Sequence, residues 1–369
     1  TAQGNGGTGE DFYYTPPAGF KALNSDNLSA PAIALPTDHF TTNIWSGDGT
    51  DNRTITTGFD VGLSWIKRRD ITKWHSLSDS VRAADPMPVL YSNSTSDEAT
   101  DANALAFVSN GFTVDDNSYY NTSGGTFVGW NWKAGTSFDP ATAGTVASGS
   151  GSANATAGFS IVKYPGSASD VTVGHGLAQT PELIIIKNLD TVVGWPVYVA
   201  TLGNAKRLEL DDPYQEQATG HWVSTSPTSS VFTVDGGQDA VNASGDDFIA
   251  YCFHSIEGYS KVGTYAGNSN VDGPFIYTGF KPAYAIFKRT GSAASWVVFD
   301  NKRNPYNAVD TRLYPDTSGA ESTAGAGYAD MDFVSNGIKM RGDSAMYNNS
   351  SGPYIFYAVA ESPFKTSNA

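Results

Sequence analysis

The chain has 369 residues, of which 22 are basic and 37 acidic, so its formal net charge is −15. A field of that sign repels phosphate backbones and anionic membrane surfaces, which argues against binding to nucleic acid or to such surfaces, and no apolar run is long enough for a membrane span. Aromatic residues make up 12 % and charged residues only 16 %, a mixture typical of short strands and many turns rather than of a disordered chain.

Residues 1–39 predict an extended arm rather than a domain. The segment 1–10 is Gly-rich, and 11–20 combines aromatic residues with a Pro-Pro pair. Pro31 and Pro36 then prevent a long regular element. We expect the aromatic side chains to hold this arm against the first repeat or against a neighbouring subunit.

The rest of the chain contains three diverged copies of one unit. Each copy has a Gly-apolar corner, an apolar strand ending in lysine, a nearby tryptophan, a variable stretch and a Gly-led aromatic closing strand. The lysines are Lys67, Lys187 and Lys288, and the tryptophans are Trp74, Trp195 and Trp296. We expect the tryptophans to lie in the core and the lysines to mark where each strand emerges into solvent.

These landmarks divide the chain into repeat one (40–133), repeat two (158–256) and repeat three (257–369). Residues 134–157 are rich in Gly, Ser, Ala and Thr and predict a flexible linker. Repeats two and three have almost no linker and are expected to pack together. The many short strands in each copy predict an all-β protein of three tandem antiparallel β-sandwiches of jelly-roll type.

Catalytic signatures are weak, so we expect no enzymatic activity. A glycan-degrading enzyme would draw on carboxylates such as Glu209, Asp211, Asp246 and Asp247. Most of them stand in turn-rich sequence, where aspartate is favoured because it bonds its own backbone. No cofactor is predicted apart from calcium, for which the loop oxygens near four aspartates are weak candidates. These are Asp48, Asp51, Asp235 and Asp239.

The variable stretch of each repeat predicts the binding surface, because loops on a rigid sandwich commonly carry function. The candidate ligand-binding residues there are Tyr91, Tyr214, Trp222, Tyr306 and Tyr314. An aromatic face beside polar groups is a suitable way to hold a sugar. The alternative is that these rings pack the loops down or meet a neighbouring subunit.

Several segments of the chain resemble virion proteins of marine and other environmental bacteriophages. They are 14–24 (YTPPAGFKALN), 65–69 (WIKRR), 79–82 (DSVR), 127–135 (FVGWNWKAG) and 354–364 (YIFYAVAESPF). In that family the first segment resembles the end of a preceding SPRY-like module. The resemblance is most specific for repeat one and weaker for repeat two, which lacks the Asp-Ser-Val-Arg segment.

The resemblance implies a structural protein of the virion, such as a tail fibre or host-recognition component, with no catalytic residues to carry over. Our leading hypothesis is a non-enzymatic tail-fibre or appendage protein whose loops contact host-surface glycan. We expect it to form a homo-oligomer, with a trimer favoured because fibres are commonly trimeric, and to contact other virion proteins. The alternatives are a capsid-decorating or filament-forming protein without a ligand and, less favoured, a glycan-degrading tailspike.

Overall fold

A computed structural model describes residues 28, 30–100, 105–133, 135–323, 329–350 and 352–367. Its regular structure is dominated by antiparallel strands, which confirms the predicted all-β sandwich class. The aromatic segment of the predicted arm lies outside the described residues. No helix in the described part of the chain is long and apolar enough to cross a membrane.

Repeat one is a pair of facing sheets. Its strands are β1 (Phe40–Ser46), β2 (Arg53–Thr56), β3 (Val61–Arg68), β4 (Ser76–Asp79), β5 (Pro88–Tyr91), β6 (Ala99–Thr100), β7 (Leu105–Val108), β8 (Gly111–Val114) and β9 (Thr126–Lys133). The inner sheet has the order β1-β9-β3-β4-β5-β6, and the outer sheet has the order β2-β8-β7. A 3-10 helix, Pro36–Asp38, precedes β1.

Repeat two follows the same plan with a wider inner sheet. Its strands are β10 (Thr136–Phe138), β11 (Ser150–Asn154), β12 (Phe159–Pro165), β13 (Val171–Gly174), β14 (Leu183–Asn188), β15 (Pro196–Val199), β16 (Lys206–Glu209), β17 (Gln217–Ala218), β18 (Val231–Val234) and β19 (Asp247–Phe253). The inner order is β10-β11-β12-β19-β14-β15-β16-β17, and β13 pairs with β18 outside it. The helices are the 3-10 turn Pro140–Thr142 and α1, Asp239–Asn242.

Repeat three completes the set. Its strands are β20 (Ser260–Ala266), β21 (Phe275–Tyr277), β22 (Phe280–Arg289), β23 (Val297–Asp300), β24 (Thr311–Arg312), β25 (Ser322–Thr323), β26 (Met331–Val334), β27 (Gly337–Met340) and β28 (Pro353–Pro363). The inner order is β20-β28-β22-β23, the outer order is β21-β27-β26, and β24 pairs with β25. A 3-10 helix, Phe364–Thr366, follows β28.

The prediction of a flexible linker over 134–157 is wrong. Strand β11 pairs along its length with β12, and β10 pairs with β11, so both extend the inner sheet of repeat two. Val146 between them is buried in the core of that repeat. Small residues suit this segment because side chains of the adjacent strand approach it closely: a Cβ added at Gly151 would lie 2.4 Å from the Phe138 ring.

Each inner sheet is buried on both faces. In β14, Leu183 and Ile185 point to one face, while Ile184 and Ile186 point to the other and pack against the outer sheet of repeat two. The side-chain period of a strand is two, so alternation normally leaves one face polar; burial of both faces instead requires a continuous apolar run. This accounts for runs such as 183–186 (LIII) and 354–360 (YIFYAVA).

The second face of all three inner sheets meets in one central core. This central core contains Leu63, Trp65, Trp130 and Trp132 of repeat one, Leu183, Ile185, Tyr251 and Phe253 of repeat two, and Tyr284, Ile286, Tyr357 and Val359 of repeat three. Strand pairing places them in register: Trp65 opposes Trp130, Ile185 opposes Tyr251, and Ile286 opposes Tyr357. The repeats therefore share a hydrophobic core instead of standing as separate sandwiches in a row.

One backbone hydrogen bond repeats three times and closes the repeats into a ring. In each case the backbone N–H of a glutamate in one repeat donates to a backbone carbonyl of the next repeat. The residue with that carbonyl lies two positions after the lysine that ends the apolar strand. The three bonds are Glu98 to Leu189 (2.8 Å), Glu216 to Thr290 (2.9 Å) and Glu321 to Arg69 (2.7 Å). Because the third bond returns from repeat three to repeat one, the arrangement is cyclic.

The three lysines do not emerge into solvent, so that prediction is wrong. Lys67, Lys187 and Lys288 are each 0 % exposed, and burial lowers the pKa of each ammonium to about 8. Each lysine donates hydrogen bonds to backbone carbonyls of the loop that follows it. Two of the lysines also donate to a carbonyl of the preceding repeat. Lys187 Nζ donates to Val193 (2.8 Å) and Thr95 (3.1 Å), and Lys288 Nζ donates to Ala294 (2.6 Å) and Pro213 (2.9 Å).

The tryptophan landmark is correct in two repeats and shifted by one residue in the first. Trp195 and Trp296 are buried immediately before β15 and β23. The residue immediately before β4 is His75, which is buried and accepts a hydrogen bond at Nδ1 from Trp65 Nε1 (3.0 Å). Trp74 is instead 40 % exposed, because a side chain one position along a strand points to the opposite face.

A buried ion pair joins repeat one to repeat two. Arg82 Nε donates to Asp79 Oδ2 (2.6 Å), and the Tyr251 hydroxyl of repeat two donates to the same oxygen (2.8 Å). Val199 occupies the position of Asp79 at the end of β15, and Leu202 occupies the position of Arg82. The same architecture therefore accepts either a polar or an apolar pair at this position.

This equivalence predicts the outcome of a paired substitution. Arg82→Leu alone leaves the buried Asp79 carboxylate without its cation and is expected to lower the free energy of unfolding by about 3 kcal/mol. The triple change Asp79→Val, Arg82→Leu, Tyr251→Phe removes the carboxylate together with both side chains that donate to Oδ2. It leaves only the partly exposed Glu98 without its arginine and is expected to recover much of that loss. Urea unfolding followed by tryptophan fluorescence measures both. A triple variant as unstable as Arg82→Leu would contradict the equivalence.

Candidate functional site: an aromatic shelf on repeat one

An exposed group of rings lies at one end of repeat one. The Trp74 and Tyr91 rings meet edge to face with centroids 4.8 Å apart, and Tyr91 lies 6.0 Å from Tyr119. Trp74 is 40 % exposed, and both tyrosines are half-buried. We call Trp74, Tyr91 and Tyr119 the aromatic shelf. Rings exposed in this way present apolar faces together with polar hydroxyl edges.

The backbone around the shelf is held by two repeats. Tyr91 ends β5, and the turn that carries Tyr119 is fixed because its N–H donates to Asn117 Oδ1 (2.8 Å). The N–H of Lys73, next to Trp74, donates to the Ser318 carbonyl of repeat three (3.0 Å). The shelf therefore sits on the seam between repeats one and three, and closure of the ring restrains its shape.

The shelf belongs to repeat one alone. Strand pairing places Gly194 and Ser295 where repeat one has Trp74, since each stands two residues before β15 or β23. Glu209 and Tyr314 occupy the position of Tyr91. The fold requires a buried ring at His75 and its equivalents, but it does not require one at Trp74.

The five ligand-binding candidates do not form one site, because they are divided among three repeats. Tyr91 belongs to the shelf, and Tyr314 is its counterpart in repeat three, packed against the outer core of that repeat. Tyr214 and Tyr306 are exposed, by 56 % and 84 %. Sequence reasoning missed Trp74 and Tyr119. The available signal for Trp74 was that His75, rather than a tryptophan, stands at the position of Trp195 and Trp296.

Trp222 is a structural residue, and its prediction as a ligand-binding residue is wrong. Its side chain is 2 % exposed, and Nε1 donates to the Lys206 carbonyl (3.0 Å). Its ring packs edge to face on Tyr198 at 5.6 Å. An indole that fills a core and satisfies its only donor has no surface left for a ligand.

Three of the four calcium candidates accept hydrogen bonds from within the protein. Asp48 Oδ1 accepts from the Thr50 N–H (2.9 Å) and from Asn121 Nδ2 (2.8 Å), and the Thr50 hydroxyl and backbone bonds hold the pKa of Asp48 down to about 2. Asp51 and Asp235 lie in similar turns and accept backbone N–H bonds, whereas Asp239 is the first residue of α1. Among the described residues, no group of three or more metal-ligating side chains is present.

Each carboxylate that a hydrolase would use has at least one partner within the scaffold, while Glu209 Oε2 is buried without a hydrogen bond. Glu209 Oε1 accepts from Arg207 Nε (2.5 Å), and Asp211 Oδ1 accepts from the Trp195 N–H (2.8 Å). Asp246 Oδ2 accepts from Asn188 Nδ2 (2.8 Å), while Asp247 pairs with the half-buried Lys163. Burial raises the pKa of Glu209 to about 7 and also raises that of Asp211.

One polar position stands beside the buried ring of every repeat. Asn93 Oδ1 accepts from the His75 N–H at 2.8 Å, as Asp211 does from Trp195. In repeat three the position is Asp316, a buried carboxylate next to Trp296. Burial outweighs its neighbouring donors and raises its pKa from 3.8 to about 6. Repeat one has a neutral amide, Asn93, at this position.

Asp316→Asn is therefore expected to change how stability depends on pH. An acid whose pKa is higher in the folded state makes the unfolding free energy fall as pH rises between the unfolded and folded values, here from about 4 to about 6. The variant loses this fall and is more stable than the parent at pH 7 by roughly 2–3 kcal/mol. Urea titrations at pH 4, 5, 6 and 7 measure the difference.

The exposed carboxylate Asp343 supplies the control for that series. Asp343→Asn makes the same change of charge at a solvated position and is expected to leave the difference from the parent nearly constant across the same pH values. A constant difference for Asp316→Asn as well would contradict the assignment of Asp316 as a buried, high-pKa carboxylate.

Comparison with known proteins adds a family but no activity. A family model described as a domain of unknown function (DUF7483) matches residues 35–363, which is most of the chain, so the chain belongs to that family. No curated protein and no solved structure matches it.

Proposed function

We propose that this member of the DUF7483 family is a non-enzymatic structural protein of a bacteriophage virion, in a tail fibre or similar appendage, and that it binds host-surface glycan through the aromatic shelf. The virion assignment rests on the sequence resemblance described above. The glycan assignment rests on the geometry of Trp74, Tyr91 and Tyr119. The observation that carries it is that the shelf is present in one repeat of three.

An exposed tryptophan needs a reason that the scaffold does not supply. Glycine and serine replace Trp74 in the other two repeats without loss of the fold. Grouping with two tyrosines makes it part of a patch rather than an isolated surface ring, and such patches mark binding sites more often than single exposed residues do. Ring faces with polar rims match saccharides, whose faces carry C–H groups and whose edges carry hydroxyls.

The ring architecture makes this patch suitable for binding. The shelf is built on the residues next to β4 and β5, on a turn between β8 and β9 whose backbone is bonded to Asn117, and on a seam hydrogen bond. Side chains ordered before binding lose less conformational entropy when a ligand arrives. A receptor-binding role also needs no catalytic group, and the carboxylates considered for hydrolysis are bonded within the fold.

Trp74→Ser tests the glycan assignment with the residue that repeat three already carries. It is expected to leave the unfolding transition within about 1 kcal/mol of the parent, since the ring is partly exposed. It is also expected to weaken saccharide binding at least roughly tenfold, as for a central aromatic contact. Binding is measured on an array of bacterial capsular and lipopolysaccharide glycans and then by calorimetry.

Tyr306→Ala is the matched control, because Tyr306 is the most exposed of the candidate rings and lies in repeat three. It is expected to bind like the parent. Equal binding by Trp74→Ser and Tyr306→Ala would remove the shelf as the glycan site, and an array on which the parent binds nothing would overturn the glycan proposal.

A second candidate, a filament-forming or capsid-decorating protein, is favoured by a separate surface. Strand β21 is at an edge of its sheet and turns Phe275 and Tyr277 outward, 48 % and 57 % exposed. Aromatic edge strands are sites where chains associate. Such a contact would extend the assembly without any ligand.

The two candidates predict different positions in the particle. For a host-recognition protein, immunogold against this chain is expected at the tip of a tail or fibre. Even labelling over a shell or along a filament would instead support the assembly role. Phe275→Lys places a charge on β21 and is expected to dissociate filaments of the purified chain in sedimentation if β21 is the contact, whereas Trp74→Ser is not.

A further inference from the structure

We infer that the aromatic shelf takes an acidic saccharide, one that carries a carboxylate or a sulfate, and that Lys73 is the residue that selects it. This inference rests on the proposed function and specifies its ligand. The observation behind it is a cation at the edge of the shelf that forms no ion pair with any of the described residues. Lys73 Nζ lies over the Tyr119 ring, 4.7 Å from its centroid.

The charges of the loop leading to the shelf are otherwise paired. Arg68 bonds Asp70 (2.9 Å), and Arg69 bonds Glu321 of repeat three (2.8 Å). Lys73 makes no ion pair with any acid in the part of the chain that the structure describes. The net charge of −15 repels anions overall, so an acidic ligand needs a local cation. The Lys73 ammonium beside the shelf supplies one, because none of the described carboxylates pairs with it.

Contacts with the backbone and with a ring restrain the position of the Lys73 ammonium. The Lys73 N–H is bonded to the Ser318 carbonyl (3.0 Å), which fixes the backbone on the repeat seam. The Tyr119 ring face attracts the cation, as expected for a cation–π contact, and Tyr119 in turn adjoins Tyr91. A sugar ring seated on Trp74 and Tyr91 would bring its acidic substituent towards Tyr119 and the ammonium.

The other repeats show that the cation and the tryptophan occur together. Where repeat one has Lys73 followed by Trp74, repeat two has Val193 followed by Gly194, and repeat three has Ala294 followed by Ser295. Repeats two and three therefore lack both the lysine and the tryptophan. The backbone carbonyls of Val193 and Ala294 accept bonds from the buried lysines, so that structural role does not depend on the side chain present.

The experiment measures binding to pairs of saccharides that differ only in charge: oligogalacturonate with its methyl ester, and dextran sulfate with dextran, spotted beside the bacterial glycan array. The parent is expected to favour the charged member of a pair, with an affinity that falls as salt rises from 50 to 500 mM, because the Debye length shortens. Lys73→Gln is expected to reduce that preference roughly two- to fivefold or more. Lys73→Arg is expected to retain it.

Two controls keep this result separate from the proposed function. Lys302→Gln removes one positive charge from an exposed site on repeat three and is expected to leave the preference unchanged. Trp74→Ser is expected to weaken binding to charged and neutral members alike. Shelf-dependent binding without a charge preference, or a preference that survives Lys73→Gln, overturns the acidic-ligand inference while the glycan role stands. Absence of any saccharide binding by the parent overturns both.

Discussion

Burial of each inner sheet on both faces is the constraint on which the rest of this structure depends. A two-layer sandwich buries one face of each sheet, and its strands alternate between apolar and polar residues. Here the inner strands are apolar at successive positions, so a lone repeat would expose a row of large side chains such as Trp65 and Trp130. Exposed patches of that size favour association. The three repeats satisfy one another by sharing the central core.

That solution places a strict demand on the edges of the shared core. Strands end there, and the chain must turn while remaining out of water. The buried lysines meet this demand by donating to loop carbonyls that would otherwise lack partners, at the cost of a lowered pKa. A lysine suits this role because its long apolar stem crosses the core face before the ammonium reaches the carbonyls. The repeated glutamate N–H bond then joins the adjoining loops into a cycle.

Sequence reasoning found the repeats, the all-β class and the core strands, because those follow from period and composition. It misplaced what depends on contacts between distant segments. The lysines look solvent-exposed when only their own strand is considered, and their acceptors, such as the Thr95 carbonyl, belong to another repeat. Trp74 looks like the counterpart of Trp195 until pairing of β4 with β5 shows that His75 holds that position. Segment 134–157 reads as a linker because small residues serve close sheet packing as well as flexibility.

The same comparison separates function from scaffold in a way that a single-copy domain does not allow. Each position of the repeated unit occurs three times within one chain. A residue that the shared architecture requires therefore has counterparts of similar character, as Asn93, Asp211 and Asp316 do. A residue whose counterparts are unlike it is not required by the fold that the repeats share, and it then serves either a contact of its own repeat or a role outside the scaffold. Lys73 and Trp74 are both of this kind: they are adjacent, Lys73 is half-buried and Trp74 is exposed, and the Lys73 N–H is bonded to another repeat. Three approximately equivalent repeats provide the rigidity, and divergence of one repeat at its seam provides a surface on which binding can be specific.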